Sequence, residues 1–308
     1  MMPNESVIRV GCLRIADHFI AGVTQQRSEK EDIGFSSFQM RLDILNATEQ
    51  VTDLLLKGEI DGAFLPLPFA MELFRTGLEI KLLLFANKGG DIFVKNRAAS
   101  IKKIKDFKDK VILTPCLLSV QNMLLHKMFL LAGLKLGLAK DNDVDVILEV
   151  ASSNMVDEII ENDSDNDIGG FVAPEPFDFE KNKTKEYKEM FKFNSLWPDY
   201  PNSVFVLKES IIQNNPDYVV ELVNAFTEAG RIIDQGDDES LTIYAEIFFQ
   251  QGPEIVQNML LKNNGMHAPS KLIPDYSIIE IVQDYLVDHA GLMEAKIDIG
   301  QFLDPSFI

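Results

Sequence analysis

The chain has little cysteine, little tryptophan and little positive charge. Its 308 residues hold two cysteines, one tryptophan and four histidines, and 29 lysines and arginines stand against 48 aspartates and glutamates, a formal charge of −19. Cys12 and Cys116 are too few for a disulfide framework and too far apart for the close spacing of a zinc site. Both fall at the ends of expected strands and are read as small buried thiols. The acidic balance repels phosphate backbones and anionic membrane surfaces, so nucleic acid is excluded as a partner. No apolar run approaches the ~20 residues that span a bilayer. The start, MMPNESVIRV, enters a strand without the charged, apolar, small-residue order of an export signal. The expected location is cytoplasmic, or periplasmic or extracellular where such a signal has been removed. HExxH, CxxC, DxDxDG, GxSxG and P-loop patterns are missing, and His126, His267 and His289 do not cluster by spacing. No metal, cofactor or catalytic residue is expected.

What is present is a phrase said twice. Residues 60–69 read IDGAFLPLPF and residues 168–177 read IGGFVAPEPF, so Gly62 matches Gly170, and Pro66 and Pro68 match Pro174 and Pro176. Proline cannot donate to a strand ladder, so each apolar strand must stop pairing at the same offset and hand over to a turn or helix start. Two lobes with equivalent strand ends are implied, and small ligands bind at the carboxyl ends of strands in open α/β sheets. The repeat by itself also fits two unrelated turns that share Pro-x-Pro punctuation. With 46% hydrophobic residues, the length suffices for two cores of ordinary domain size.

Periodicity gives β-α-β-α-β-α-β over the first 85 residues: strands at Val7 to Cys12, Met40 to Leu45, Gly62 to Leu65 and Ile80 to Phe85, with helices between them near His18 to Val23, from Thr48 to Gly58 and from Phe69 to Arg75. Regularity breaks at Gly89-Gly90-Asp91, where a crossing between lobes is expected, followed by a brief strand from Ile92 to Val94. The pattern restarts with Val111 to Leu113, a helix capped by Ser119 and stopped by Gly133, a strand from Val144 to Val150, a helix opened by Ser153 and the second copy of the phrase. The charged run DFEKNKTKEYKE reads as a solvated helix face or loop. LWPDYPNSVFVLKES, from Leu196, marks the return crossing and a strand from Val204 to Leu207. The remainder is helical, has no sheet of its own and is expected to pack on the first lobe. Lobe one is thus 1–91 with 206–308, and lobe two is 92–205.

With these stretches the chain resembles the periplasmic solute-binding proteins of ABC importers, in the nitrate/bicarbonate, alkanesulfonate and thiamine-precursor binding family. GCLRIADHF is similar to that family's segment after the first strand, KGEIDGAF to its G-x-x-D lead into the third, PEPF to its Gly-Glu-Pro-Trp box and LWPDYP to its Trp-Pro-x-His-Pro segment; QFLDPSFI is similar to its ending. The resemblance implies an α/β fold of the two-lobe, type II periplasmic-binding-protein kind, with two crossover hinges and a helical C-terminal tail. It also implies capture of a small molecule by closure of the lobes, delivery to an ABC transporter permease, and a monomer. Two departures bear on the ligand. Where nitrate and bicarbonate members carry a histidine just inside a lobe-two helix this chain has Gln121, and the box aromatic is Phe177, which has no indole donor.

Residues at strand ends and adjacent helix starts are the cleft candidates, because backbone N–H groups there are unpaired. They are Arg14, Asp17, His18, Leu67, Gly90 and Asp91 from the first lobe, and Ser119, Gln121, Asn122 and Glu175 from the second. Duller roles stand beside these: Asp17 and Ser119 as N-caps, His18 as an exposed loop histidine, Glu175 as a helix-start carboxylate. A carboxylate in a closing, water-poor cleft needs a cation or a donor beside it. Asp17, Asp91 and Glu175 face few cations, so a donor-bearing ligand suits the set better than a plain oxyanion. Two rival readings are a cytoplasmic enzyme of the same fold acting on a heterocyclic metabolite precursor, and a ligand-sensing module.

Overall fold

The computed structural model describes residues 6–30, 32–152, 155–174, 187–235, 239–262 and 272–307. Strands Val7–Leu13 (β1), Gln39–Leu45 (β2), Gly62–Pro66 (β3), Ile80–Phe85 (β4) and Ser203–Lys208 (β11) form one sheet in the order β2-β1-β3-β11-β4. β1 runs parallel to β2 and β3, while β11 is antiparallel to β3 and β4. The second sheet contains Ile92–Asn96 (β5), Lys110–Thr114 (β6), Leu136–Gly137 (β7), Val146–Val150 (β8), Ile168–Ala173 (β9) and Tyr187–Lys192 (β10), ordered β10-β5-β9-β6-β8-β7. Read from its other edge it repeats the first: β8-β6-β9-β5-β10 stands for β2-β1-β3-β11-β4.

The duplicated phrase is therefore a repeated strand in equivalent places. β3 and β9 each lie between a parallel partner and an antiparallel crossing strand, and their glycines hold equal register, Gly62 opposite Val10 and Gly170 opposite Ile112. Close approach of the crossing strand explains both glycines. A Cβ at Gly62 would meet the Phe205 ring and the Val206 carbonyl at 2.9 Å, and one at Gly170 would run into the carbonyl of Val94.

Helices Phe19–Glu29 (α1), Pro216–Gln235 (α7), Glu239–Phe249 (α8) and Pro253–Lys262 (α9) bury one face of the first sheet, with Phe64, Phe205 and Phe226 packed together at 4.9–5.2 Å between ring centres. Helices Thr48–Lys57 (α2) and Leu67–Arg75 (α3) cover the other face through Val51, Leu55 and Met71. Ala47, not Thr48, is the N-cap of α2, and Gly58 in the left-handed region ends it as expected. In the second lobe Val120–Leu131 (α4) and Val156–Glu161 (α5) flank the sheet. Residue Ser153, expected to open α5, lies outside the described residues, as does Glu175.

Three further expectations change. The charge of residues 178–189 predicts a solvated helix face or loop, yet Tyr187–Lys192 is a strand, because Tyr187 is buried and Phe191 stacks on Phe93 at 5.2 Å. The return to the first sheet occurs at Ser203 rather than residue 206, since the whole of β11 pairs with β3 and β4. The tail does not keep to one lobe. Leu303 pairs with Leu82 of β4, but helix Tyr276–Tyr285 (α10) lies against α4 of the second lobe. One continuous apolar core consequently runs from Leu55 and Met71 through Ile279 and Leu286 to Phe129 and Leu148.

Candidate functional site

The two crossings between the sheets run as an antiparallel pair. Ala86 N donates to Ser203 O at 2.8 Å, Gly89 N donates to Tyr200 O at 2.9 Å, and Lys88 bridges Pro201. Gly89 has φ of +86°, and a Cβ there would collide with Asn194, so glycine is required on both counts. Gly90 follows with φ of +107°.

From this ribbon a polar cluster projects into the space between the lobes. Asn87 Nδ2 donates to Asp17 Oδ1 at 2.6 Å and to Gly89 O at 3.1 Å. Asn202 Nδ2 lies 2.5 Å from Asp17 Oδ2 and 2.8 Å from Asp91 Oδ2, so one amide joins both carboxylates. Gln121, at the start of α4, donates through Nε2 to Asp91 and, at 2.6 Å, to Asn202 Oδ1. Tyr200 donates its hydroxyl to Asp91 Oδ2 at 3.1 Å. Burial, then the Asp91 and Asp17 charges, push that phenol well above its ordinary value, which keeps it a donor. All these residues are buried.

His18 supports the cluster from behind. Its Nδ1 accepts the Leu13 N–H at 2.9 Å, so Nε2 carries the proton and donates to Ser203 Oγ at 3.2 Å; Ser203 in turn donates to Asp17 Oδ2 at 3.4 Å. Burial pushes the imidazole pKa down to about 3, so the ring is neutral at physiological pH.

Beside the cluster a cavity of about 530 Å³ opens between Glu49 of α2 and Phe69 of α3 in one lobe, Cys116 to Leu118, Asn122 and His126 in the other, and Ala290 to Leu292 of the tail. Asn122 spends Nδ2 on the carbonyls of Cys116 and Leu117, at 2.7 and 2.9 Å. Its Oδ1 is buried without a hydrogen-bond partner, as are Asn87 Oδ1 and Gln121 Oε1. The amide donors of these three residues are thus consumed internally, and what they leave over are acceptors, with Lys140 and His126 also in the lining. His126, its pKa lowered by burial and then by the charge of His289, pairs through Nδ1 with Tyr285 OH at 3.0 Å. Burial raises the Cys116 thiol to about 12 and the Cys12 thiol further, so neither is a nucleophile at neutral pH. Among the described residues no three His, Cys, Asp or Glu side chains are grouped to hold a metal ion.

The residues singled out in the sequence separate into three groups. Asp17, His18, Asp91 and Gln121 meet in the cluster, with Gly90 adjacent in the ribbon. Asn122 lines the cavity from lobe two, and Ser119, outside the lining, caps α4 by accepting from Asn122 N through Oγ at 3.2 Å. Asp17 is not a cap: it lies in the 3₁₀ turn Ala16–His18 and its carboxylate faces the ribbon. Arg14 and Leu67 stand apart. The Arg14 guanidinium donates to Phe248 O of α8 at 3.0 Å, and Leu67 is buried in the apolar core with its N–H on Asn202 O. Sequence reasoning missed Asn87, Tyr200, Asn202 and Ser203. For the last three the signal is the run Tyr-Pro-Asn-Ser in the return crossing, where proline fixes the turn that holds the polar residues; Asn87 carries no such signal.

The sequence profile of the NMT1-like family matches residues 2–248. Among proteins of curated function none matches the chain in sequence. In fold the chain is similar to the ligand-binding component of an ABC-type import system from Staphylococcus aureus, solved with zinc bound (TM-score 0.82, 18% identity, 98% of each chain covered). It is similar also to the alkanesulfonate-binding protein SsuA from Xanthomonas axonopodis pv. citri bound to MOPS (0.73, 12%, covering 99% of this chain and 100% of that one). The desulfurization enzyme DSZB shares the architecture as well (0.66, 12%, 98% and 97%). The fold is that of the periplasmic binding proteins, as the two pseudo-equivalent sheets indicate.

Proposed function

The chain belongs to the NMT1-like family, and from that membership we propose that it is a solute-binding protein that takes a small donor-bearing molecule between its two lobes and passes it to the permease of an ABC importer. The observation that carries the ligand class is the acceptor surplus: Asn122 Oδ1 at the cavity, and Asn87 Oδ1 and Gln121 Oε1 beside two carboxylates already joined through Asn202, are buried and unpartnered. Burying such acceptors without donors costs about 1–3 kcal/mol each, and a ligand rich in N–H groups, an amine, amide or amino-heterocycle, recovers it. A plain oxyanion adds acceptors to acceptors. Capture works as hinge closure about Gly89-Gly90 and the Tyr200 to Ser203 strand, because contacts from Asn122 of one lobe and the Asp17 side of the other exist together only in the shut form.

On this reading the protein is a monomer, periplasmic or extracellular where an export signal has been removed. It performs no chemistry. That its fold also occurs in a desulfurization enzyme leaves catalysis open as a rival, but the raised thiols of Cys12 and Cys116 and the neutral, fully hydrogen-bonded His18 offer no activated nucleophile or base.

The test is native mass spectrometry of the purified protein, then a thermal-shift screen of amino-acid derivatives, amino-heterocycles, sulfonates and small oxyanions. A cognate solute at 100 times its dissociation constant adds about 2.7 kcal/mol. Stabilisation by oxyanions alone contradicts the ligand class, and turnover of the bound compound contradicts the binding role.

A further inference from the structure

We propose a second ligand site, independent of the reading of the cleft: a groove between α4, the Leu196-Trp197 turn and α10 that takes a medium-chain or aryl carboxylate, apolar body inward and carboxylate on Lys127. The groove encloses about 660 Å³, within the range of small-molecule sites. It lies on the adjoining face of α4 from the cleft, and its wall toward the cleft is the Tyr285–His126 hydrogen bond, Tyr285 lining the groove and His126 the cavity.

Its lining is apolar and adaptable. Met123, Met128, Leu131, Leu196, Trp197 and Ile281 surround it, and thioether side chains reshape easily around an apolar guest. Leu131 is 82% exposed and Ile281 54%, a contiguous apolar surface left to water.

Charge decides the class of guest. Of the charged residues at the groove, Asp284 is engaged by Lys296 at 2.8 Å, an ammonium it shares with Asp288 at 2.8 Å. Lys127 has no carboxylate partner among the described residues. A chain of net charge −19 thus presents, at the rim of an apolar groove, a lysine with no carboxylate partner among the described residues. A lysine there lays its methylene stem along the apolar wall and presents its ammonium at the mouth, which suits an amphiphile with one negative head. An apolar cation would meet Lys127 as a like charge.

Trp197 is the chain's one tryptophan and lines the groove, so its emission reports occupancy. Full-length protein is titrated with decanoate and, separately, with decylamine, in wild type, Lys127→Glu and Leu131→Asp. Both substituted side chains are exposed, and a urea midpoint equal to wild type verifies that each variant is folded. The expected result is a saturable change of Trp197 emission with decanoate, weakened roughly tenfold or more in each variant, and no saturable change with decylamine in wild type. An equal response to both amphiphiles, a decanoate response untouched by the two variants, or no response to decanoate overturns the proposal; the last would leave the groove to a protein partner.

Discussion

The two lobes are built from the same half-sheet and end it differently. In each, the repeated strand sits between a parallel neighbour and an antiparallel crossing strand, with a glycine where the crossing strand presses closest. The helix starts that follow the parallel neighbours β1 and β6 diverge. In lobe two, α4 begins at Ser119, which caps it, and Gln121 reaches across to the hinge. In lobe one, α1 has no side-chain cap and is entered through a 3₁₀ turn whose Asp17 is drawn into the hinge by Asn87 and Asn202. The first lobe and the crossings bring Asp17 and Asp91 joined by the amides of Asn87 and Asn202, and the second brings Gln121 and Asn122. The duplicated architecture therefore gives a chemically lopsided cleft, which is what a site for an unsymmetrical polar solute requires.

The glycines test the equivalence most severely. Gly170→Ala forces a methyl hard against the Val94 carbonyl, which the sheet cannot move, and should cost about 3 kcal/mol; Gly62→Ala approaches the Val206 carbonyl and the Phe205 ring less closely, at 2.9 Å, and should cost less, about 1–2 kcal/mol. Urea unfolding measures both, and equal costs would blur the distinction between the lobes. Next in size is the pH response of His18, the fully buried histidine of lobe one. His18 holds a pKa near 3 in the folded state against 6.5 when unfolded. The unfolded chain takes up the proton first as pH falls, so the contribution is complete above about pH 7 and drains between 6.5 and 3. By pH 5 about 2 kcal/mol should be lost. Comparing urea midpoints at pH 7 and 5 in wild type and His18→Gln isolates it, since the variant should lack that share of the acid loss. The smallest effect concerns the caps: Ser119→Ala should cost about 1 kcal/mol in thermal or urea melts through α4, whereas α1 has no side-chain cap whose removal could produce a counterpart.

Most of the frame was legible because it is written in periodicity. Alternating and continuous apolar strands, Gly58 and Gly133 as helix stops, and the duplicated Pro-x-Pro phrase placed the sheets and the crossings. Strand β10 was not, since its sequence is charged and its assignment comes from Tyr187 and Phe191 finding aromatic partners across the sheet. The route of α10 across to α4 was equally hidden, because an amphipathic helix states which face is apolar and not which surface it meets. Within the site, Asp17, Asp91 and Gln121 were found by the rule of strand ends and helix starts, and Arg14 and Leu67 obeyed that rule yet turned elsewhere. The amides that join the cluster, Asn87 and Asn202, lie in the crossings. Only the pairing of those two segments, distant in sequence, makes them neighbours.

Calorimetric titration of the most stabilising amino-heterocycle or amine, in wild type and in Asp91→Asn, puts the question to the hinge cluster itself. Binding to wild type that weakens roughly tenfold or more on loss of the Asp91 charge, with no heat from nitrate in either protein, is the outcome expected of an acceptor-rich cleft. Affinity for the donor compound unchanged by the substitution, or tight nitrate binding to wild type, would contradict it.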